Sequence, residues 1–237
     1  MTETIDDSLT LDPPGSIAVV GAGPLGIEAA LYGRFLGYDV TLIESDAVGH
    51  SLASYRDQPL PMLPDRCLSS LALSALQAQN PDGPPITLPV TVAQWIDQVL
   101  IALTETDLLR GRLRCPFRVT SVAHVTVDQD ADEQVAHPLE IDAEESDEEV
   151  PPDFVLSLAG LDGQSDELVV ESVIQATGAE VQLPCEFPVP CDYLFRIGET
   201  SSGNMEQDLR TGLQQIAKIY AVLGGRATLD LYRPQRT

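Results

Sequence analysis

Three glycines in a fixed spacing are the residues of this sequence best suited to hold a ligand. Gly21, Gly23 and Gly26 form a G-x-G-x-x-G pattern directly after the apolar run Ile17–Val20, and Glu44 follows 18 residues beyond Gly26. In this pattern the first glycine permits a sharp turn, the second lets a diphosphate approach the backbone, and the third lets a helix pack closely on the strand. A carboxylate near this distance accepts hydrogen bonds from a ribose 2′-hydroxyl. The residues therefore predict a dinucleotide site with Glu44 on the sugar.

The elements around these glycines are predicted to run strand, turn, helix, strand. Ile17–Val20 suits a strand buried on both faces, and Pro24 begins a helix where its missing N–H costs least. Gly37 marks the helix end, and Val40–Ile43 reads as the second strand. The expected buried stripe of the helix is Leu25, Ala29, Tyr32 and Leu36. A glycine-rich turn in another βαβ unit, with Glu44 an ordinary solvated acid, is the alternative interpretation.

The charge of the chain excludes several classes of partner. It has 37 acidic residues against 13 Lys and Arg, for a net charge of −24. Such a surface repels nucleic acid and anionic membranes. A bound diphosphate must therefore rely on local backbone N–H groups and the positive end of a helix dipole.

Cysteine usage and chain organisation predict a cytoplasmic, single-domain protein. The cysteines are Cys67, Cys115, Cys185 and Cys191. They form no C-x-x-C pair, and with only three histidines no metal site is expected. We therefore expect all four cysteines to be reduced thiols in a cytoplasmic protein. Residues 1–15 read as a flexible acidic leader without a signal pattern, residues 16–237 as one domain, and residues 128–153 as a mobile acidic excursion.

The middle of the chain offers weaker candidates for ligand contact. A proline-rich loop after Glu44 is predicted to cross the carboxyl edge of the sheet, where open α/β sheets bind ligands. Its candidate contacts are His50, Tyr55, Arg56 and Arg66, each with a solvated loop residue as the alternative. Helices are predicted at Leu68–Leu76 and Thr91–Leu109, the latter with Trp95 as a core anchor. The basic cluster Arg110, Arg112, Arg114 and Arg118 is expected to offset neighbouring acids.

The second half of the chain is predicted to return to the sheet through a hairpin. The expected strands are Phe117–Val127, Phe154–Ala159, Glu167–Gln175 and Leu194–Ile197. A tight turn at Ala176-Thr177-Gly178 would end the third of these at the edge that carries the first glycine turn. The turn at Gly198 would lead into a helix over Met205–Leu223.

The order of these motifs resembles a known family. GAGPLGIEAA, then Glu44, then VIQATG, then YLFRIGE followed by a helix is similar to the FAD-binding domain of pyridine-nucleotide-dependent flavoprotein oxidoreductases. That group includes thioredoxin-reductase-like enzymes and flavin monooxygenases. The resemblance implies an α/β, Rossmann-like, three-layer FAD-binding domain. It also implies a parallel central sheet and a β-hairpin or β-meander crossover.

The resemblance implies roles for individual residues. FAD pyrophosphate would lie on the turn, the adenosine ribose at Glu44, the adenine near Val119, and the ribityl chain and second phosphate near the Gly198 turn. The full implied set is Gly21, Ala22, Gly23, Pro24, Leu25, Gly26, Glu44, Ser45, Val119, Ala176, Thr177, Gly178, Gly198 and Glu199. NAD(P) is the alternative cofactor, because Glu44 also suits an NAD ribose.

Three features depart from the family and leave the function open, the first being that the chain lacks the paired redox cysteines of the disulfide reductases. Glu199 stands where the family usually has Asp, and about twenty residues separate Gly178 from Gly198. The family places an NAD(P)H domain there, which needs upwards of about 100 residues. We therefore expect an FAD-binding, flavin-dependent oxidoreductase of reduced form, with a small-molecule substrate or a redox partner protein. A degenerate, non-catalytic dinucleotide binder is the alternative, and no catalytic residue is identified.

Overall fold

The computed structural model describes residues 10–125, 153–179 and 181–233. Residues 1–9 of the expected leader and residues 128–152 of the expected acidic excursion lie outside this part of the chain. So do the last residues of the strand expected over Phe117–Val127.

A parallel sheet carries the candidate site. Its strands are β1 (Ser16–Val20), β2 (Asp39–Ile43), β3 (Leu113–Arg114), β7 (Ser172–Gln175) and β8 (Leu194–Arg196). The order is β3-β2-β1-β7-β8, and every neighbouring pair is parallel. Because β2 lies on one side of β1 and β7 on the other, the strand order reverses at β1. Open α/β sheets bind ligands in the crevice that such a reversal creates.

A second sheet is antiparallel and consists of β4 (Phe117–His124), β5 (Phe154–Gly160) and β6 (Ser165–Val170). The single strand predicted over Glu167–Gln175 is wrong, because the chain changes sheets at Glu171. There the Glu171 carboxylate accepts hydrogen bonds from the Ser16 N–H at 2.6 Å and the Ser16 hydroxyl at 3.0 Å. The chain thus leaves the antiparallel sheet as β6 and joins the parallel sheet as β7.

Helix α1 (Pro24–Leu36) is enclosed on nearly all sides. Every residue from 26 to 33 is buried, because the helix contacts the sheet, α2 (Ser70–Gln79) and α5 (Met205–Leu223). The predicted stripe therefore covers only part of the buried surface. Gly33 permits the close approach to α5, since a Cβ there would lie 2.5 Å from the Tyr220 hydroxyl.

The predicted helix over Thr91–Leu109 is shorter and less regular than expected. It consists of α3 (Val92–Gln94), a π-helical turn (Trp95–Leu100) and α4 (Ile101–Thr104). Six apolar side chains of this segment are buried: Val92, Trp95, Ile96, Val99, Leu100 and Leu103. Trp95 is therefore a core residue, as predicted. Within the described residues no helix is long and apolar enough to span a membrane.

One carboxyl group lies in the core behind the glycine turn. Glu28 of α1 accepts a hydrogen bond from the Ser69 hydroxyl at 2.7 Å, and Ser69 in turn caps α2 by accepting from the Ala72 N–H. Burial raises the pKa of Glu28 to about 7, and the hydrogen bonds from Ser69 offset only part of that rise. Glu28 thus joins α1 to the start of α2 as a largely protonated acid below neutral pH.

We expect this acid to make stability fall as pH rises from about 4.5 to about 7. In that window the native state binds more protons than the unfolded state, so the free energy of unfolding falls with pH by about 3 kcal/mol in total. Glu28→Gln should remove this component, which urea unfolding at several pH values measures. The exposed Glu167→Gln is the matched control. A wild-type-minus-Glu28→Gln difference that stays constant with pH would contradict the prediction.

Candidate functional site

A cleft of about 510 Å³ opens at the carboxyl ends of the parallel strands. Val20, Ile43, Ala176 and Ile197 line it, and each is the last residue of a strand or the residue after one. This is the crevice beside β1 that the strand order creates. The strand order of the sheet therefore fixes the position of the candidate site, independently of its side chains.

The glycine turn forms one wall of the cleft and depends on close backbone contact. Gly21 has φ +108°, and its N–H donates to the Ile43 carbonyl at 2.7 Å. A Cβ on Gly26 would lie 1.8 Å from the Gly21 oxygen, so only glycine lets the start of α1 approach the turn. At Gly23 a Cβ would meet only the Ser51 Oγ, at 3.6 Å, which leaves the backbone accessible from the cleft.

Backbone donors remain free at the start of α1. The N–H groups of Gly23, Leu25 and Gly26 have no hydrogen-bond partner among the described residues, and Pro24 has no N–H. Gly23 and Leu25 line the cleft, while Gly26 is buried beneath the turn. Unpaired N–H groups at a helix start, with its positive dipole end, favour an anion.

Glu44 has a structural role beyond the one that the sequence predicts. It lines the cleft with 9% of its surface exposed, and its Oε2 accepts a hydrogen bond from the Ala22 N–H at 2.8 Å. Its Oε1 accepts from the Asp46 N–H at 2.9 Å and the Ser45 hydroxyl at 3.4 Å. A carboxylate has about four lone-pair sites, so acceptor capacity remains for a sugar hydroxyl. The acid is thus held at a fixed position beside the glycine turn.

The loop after β2 contributes one predicted residue and one that sequence reasoning missed. Gly49 donates its N–H to the Ala22 carbonyl at 2.9 Å, which brings His50 and Ser51 to the cleft. Ser51 had no motif to mark it, because only the Gly49 contact places it over Gly23.

The other loop candidates lie away from the cleft. Tyr55 is 48% exposed, Arg56 pairs with Asp97, and the Arg66 side chain is 61% exposed and lies 3.8 Å from Asp65. None of the three candidates lines the cleft. They are solvated loop residues, as the alternative interpretation has it.

Strand β4 and the crossing before β8 form the wall expected to face the adenine. Phe117, Arg118 and Val119 line the cleft here, and so do residues 181–184 of the crossing. The Arg118 side chain lies 3.9 Å from Asp46, so it adds positive charge near Glu44. Elsewhere in the basic cluster Arg112 pairs with Asp39 and Arg114 with Asp166, in the structural role predicted for them.

The opposite end of the cleft matches the expectation less fully. Ala176, Thr177, Gly178 and Gly198 line it, but Glu199 does not. The Glu199 carboxylate lies 3.3 Å from the Arg196 guanidinium and is half-exposed. Of the predicted set, Ala22 and Gly26 also contribute no lining surface, since both are buried. Ligand contact by the predicted residues stays a prediction.

The remaining chemistry-bearing residues form no further centre in the described part of the chain. All four cysteines are free thiols there, and no cluster of three or more His, Cys, Asp or Glu has the geometry of a metal site. Burial raises the pKa of the Cys67 thiol to about 12, so that this residue is an unreactive thiol.

The parallel sheet, the strand reversal and the glycine turn define a Rossmann-like α/β domain with an added antiparallel sheet. No protein-family model and no curated protein sequence matches the chain. Among solved structures it is similar to a bacillithiol disulfide reductase from Bacillus cereus, with 16% identity over 69% of this chain and a TM-score of 0.43. An NADP-bound steroid monooxygenase has 20% identity over 70% of this chain and a TM-score of 0.44.

A reduced ornithine hydroxylase from Pseudomonas aeruginosa has 13% identity over 72% of this chain and a TM-score of 0.46. The chain covers 40% of the reductase, 26% of the steroid monooxygenase and 40% of the hydroxylase. It thus spans well under half the length of each. At these identities and scores, any statement of function rests on the residues of the cleft.

Two glycine substitutions separate the fold from ligand binding. We expect Gly26→Ala to destabilise the protein by about 3 kcal/mol or more, since its Cβ would overlap the Gly21 oxygen. Gly23→Ala should change stability by less than about 0.5 kcal/mol, because φ is −77° and its Cβ has room. It should nevertheless weaken dinucleotide binding at least about tenfold by blocking the diphosphate. Thermal unfolding and ligand titration measure the two effects. Equal stabilities of the two variants, or unchanged dinucleotide binding by Gly23→Ala, would contradict the roles assigned to these glycines.

Proposed function

We propose that this chain is an FAD-binding, oxidoreductase-like protein that holds its dinucleotide at the glycine turn. One observation carries the proposal: unpaired N–H groups at the start of α1 face a cleft in which the Glu44 carboxylate is fixed close by. These groups fit a diphosphate next to a ribose.

The second half of the cleft favours FAD over NAD(P). The turn at residues 176–178 and the Gly198 turn before α5 both border the cleft. In the flavoprotein family that the motifs resemble, these two turns line the cofactor, whereas an ordinary NAD domain has no use for them. NAD(P) remains the alternative ligand, because the glycine turn and Glu44 suit both dinucleotides.

The protein's part in the chemistry would be to bind and orient the cofactor and to control solvent, while a bound flavin supplies electron transfer. The titratable side chains among the described lining residues are Glu44, Asp46, His50 and Arg118. Glu44 is engaged by backbone N–H groups, and Asp46 lies next to Arg118. We assign no catalytic acid or base from this set. Electrons would come from a small-molecule substrate, a free nicotinamide docked without its own domain, or a redox partner protein.

A non-catalytic, dinucleotide-binding role is the second candidate. It is favoured by the short connection of residues 176–193 between β7 and β8, where the resembled family inserts a nucleotide domain. It is also favoured by Glu199, which pairs with Arg196 outside the cleft lining. In either role we propose a cytoplasmic protein, because a reducing compartment suits its four free thiols.

The decisive experiment is to purify the protein, record its visible spectrum, and titrate the ligand-free form with FAD and NAD. We expect flavin absorbance in the purified protein or on addition of FAD. If flavin binds, anaerobic addition of NADH or NADPH tests the catalytic role, since bleaching indicates an enzyme whose flavin accepts electrons from a nicotinamide. A colourless protein that takes up neither FAD nor NAD would overturn the proposal.

A further inference from the structure

We propose that Cys185 and Cys191 are a peroxide-sensitive pair, whose two thiols are oxidised to one disulfide within the segment that joins β7 to β8. Their spacing differs from a C-x-x-C pair, and the reaction needs no bound flavin. The inference therefore goes beyond the proposed function and does not depend on it. A reversible disulfide of this kind suits a reducing compartment, where disulfides are mostly catalytic or redox-sensing.

Hydrogen bonds attach this segment to both sheets, one close to each cysteine. The backbone of Val122 bonds to the residues on either side of Cys185, at 3.0 and 2.9 Å, so this cysteine is fixed against β4. Cys191 lies two residues before Tyr193, whose carbonyl accepts a hydrogen bond from the Val173 N–H at 2.9 Å. A disulfide between the two cysteines therefore ties the antiparallel sheet to the parallel sheet beside the cleft.

The two thiols are neighbours and are not sealed in the core. Both are half-buried and pack against the edge of the hydrophobic core. A negative charge on Cys185 raises the pKa of Cys191, which places the two sulfur atoms near each other, because charges beyond about 8–10 Å are largely screened. The pKa values of Cys67 and Cys115 are instead raised by burial and by nearby acids, with no contribution from another cysteine.

Arg196 makes Cys185 the attacking thiol of the pair. Burial raises the pKa of Cys185, and the positive charge of Arg196 offsets part of that rise. Arg196 Nη1 lies 3.3 Å from Glu199, but its Nε–H is buried and has no hydrogen-bond partner among the described residues. This free donor can stabilise a thiolate or a sulfenic acid oxygen. At Cys191 the charge of Asp192 raises the pKa further, so this thiol acts second.

The oxidation takes place in two balanced steps. The Cys185 thiolate attacks one oxygen of hydrogen peroxide, so that an S–O bond forms, the O–O bond breaks and the leaving hydroxide takes up a proton as water. The Cys191 thiolate then attacks the Cys185 sulfur, so that the S–S bond forms, the S–O bond breaks and a second water leaves. Two electrons pass from the two thiols to the peroxide. The product restrains residues 185–191, which directly follow the cleft-lining residues 181–184.

Thiol mapping of the wild-type chain tests the pair without any ligand. Reduced protein is treated with a small excess of hydrogen peroxide, unfolded, alkylated and cleaved after Glu186, the one acid between the two cysteines. We expect two of the four thiols to be lost, and the fragments carrying Cys185 and Cys191 to stay joined until dithiothreitol is added. The rate should rise with pH, because the thiolate is the nucleophile. A disulfide to Cys115, a disulfide between two chains, or no loss of thiols would overturn the inference.

Matched serine variants separate the roles of the two cysteines. Cys191→Ser should stop at a sulfenic acid on Cys185, which dimedone traps, and Cys185→Ser should lose thiols at least about tenfold more slowly than wild type. Cys115→Ser removes a half-buried thiol outside the pair and should form the disulfide at the wild-type rate. Oxidised wild type should unfold about 3 °C or more above the reduced protein, because the disulfide restrains the unfolded chain. A wild-type oxidation rate in Cys185→Ser, or the same rise in Cys191→Ser, would overturn the inference.

Discussion

The backbone of a single residue ties the candidate site together. Ala22 donates its N–H to the Glu44 carboxylate and accepts from the Gly49 N–H through its carbonyl. Its side chain and backbone are buried, so both polar groups need partners. Those two hydrogen bonds join the end of β1 to the end of β2 and to the loop that brings Ser51 over the turn. Ala22 thereby fixes the turn that directly precedes the free N–H groups of α1.

Local patterns were enough to predict the elements that build the turn. The first strand, α1 and β2 begin and end within one residue of the expected positions, and α5 matches Met205–Leu223. Asn204 caps α5 through the Gln207 N–H, and Gly37 ends α1 with φ +94°. These signals lie within a few residues of the boundary that they set. The change of sheet at Glu171 has no such signal, because its partner Ser16 lies 155 residues away in the sequence.

The difference between local signals and contacts between distant segments also explains what the sequence revealed of the site. Spacing marked the glycines and Glu44, because the chemistry of the turn itself requires them. It did not show that Glu44 also accepts a hydrogen bond from the Ala22 N–H. Nor did it show that Ser51 lies over Gly23, or that the Gln215 side chain accepts a hydrogen bond from the Gly198 N–H. Each of these depends on two segments meeting in the fold. Arg66, one of the predicted loop contacts, lies outside the cleft, because its position also depends on how the loop meets the rest of the fold.

The net charge of −24 does not prevent an anion from binding in this cleft. Charges beyond about 8–10 Å are largely screened at physiological salt, so most of the acidic surface acts weakly on a ligand at the turn. The N–H groups of Gly23 and Leu25 act at contact distance, where screening is ineffective. The nearest acid, Glu44, has its charge partly balanced by donated N–H groups, and Asp46 by Arg118. Short-range dipoles at the turn therefore favour an anion, and this is the basis on which we propose that a diphosphate binds there without a lysine.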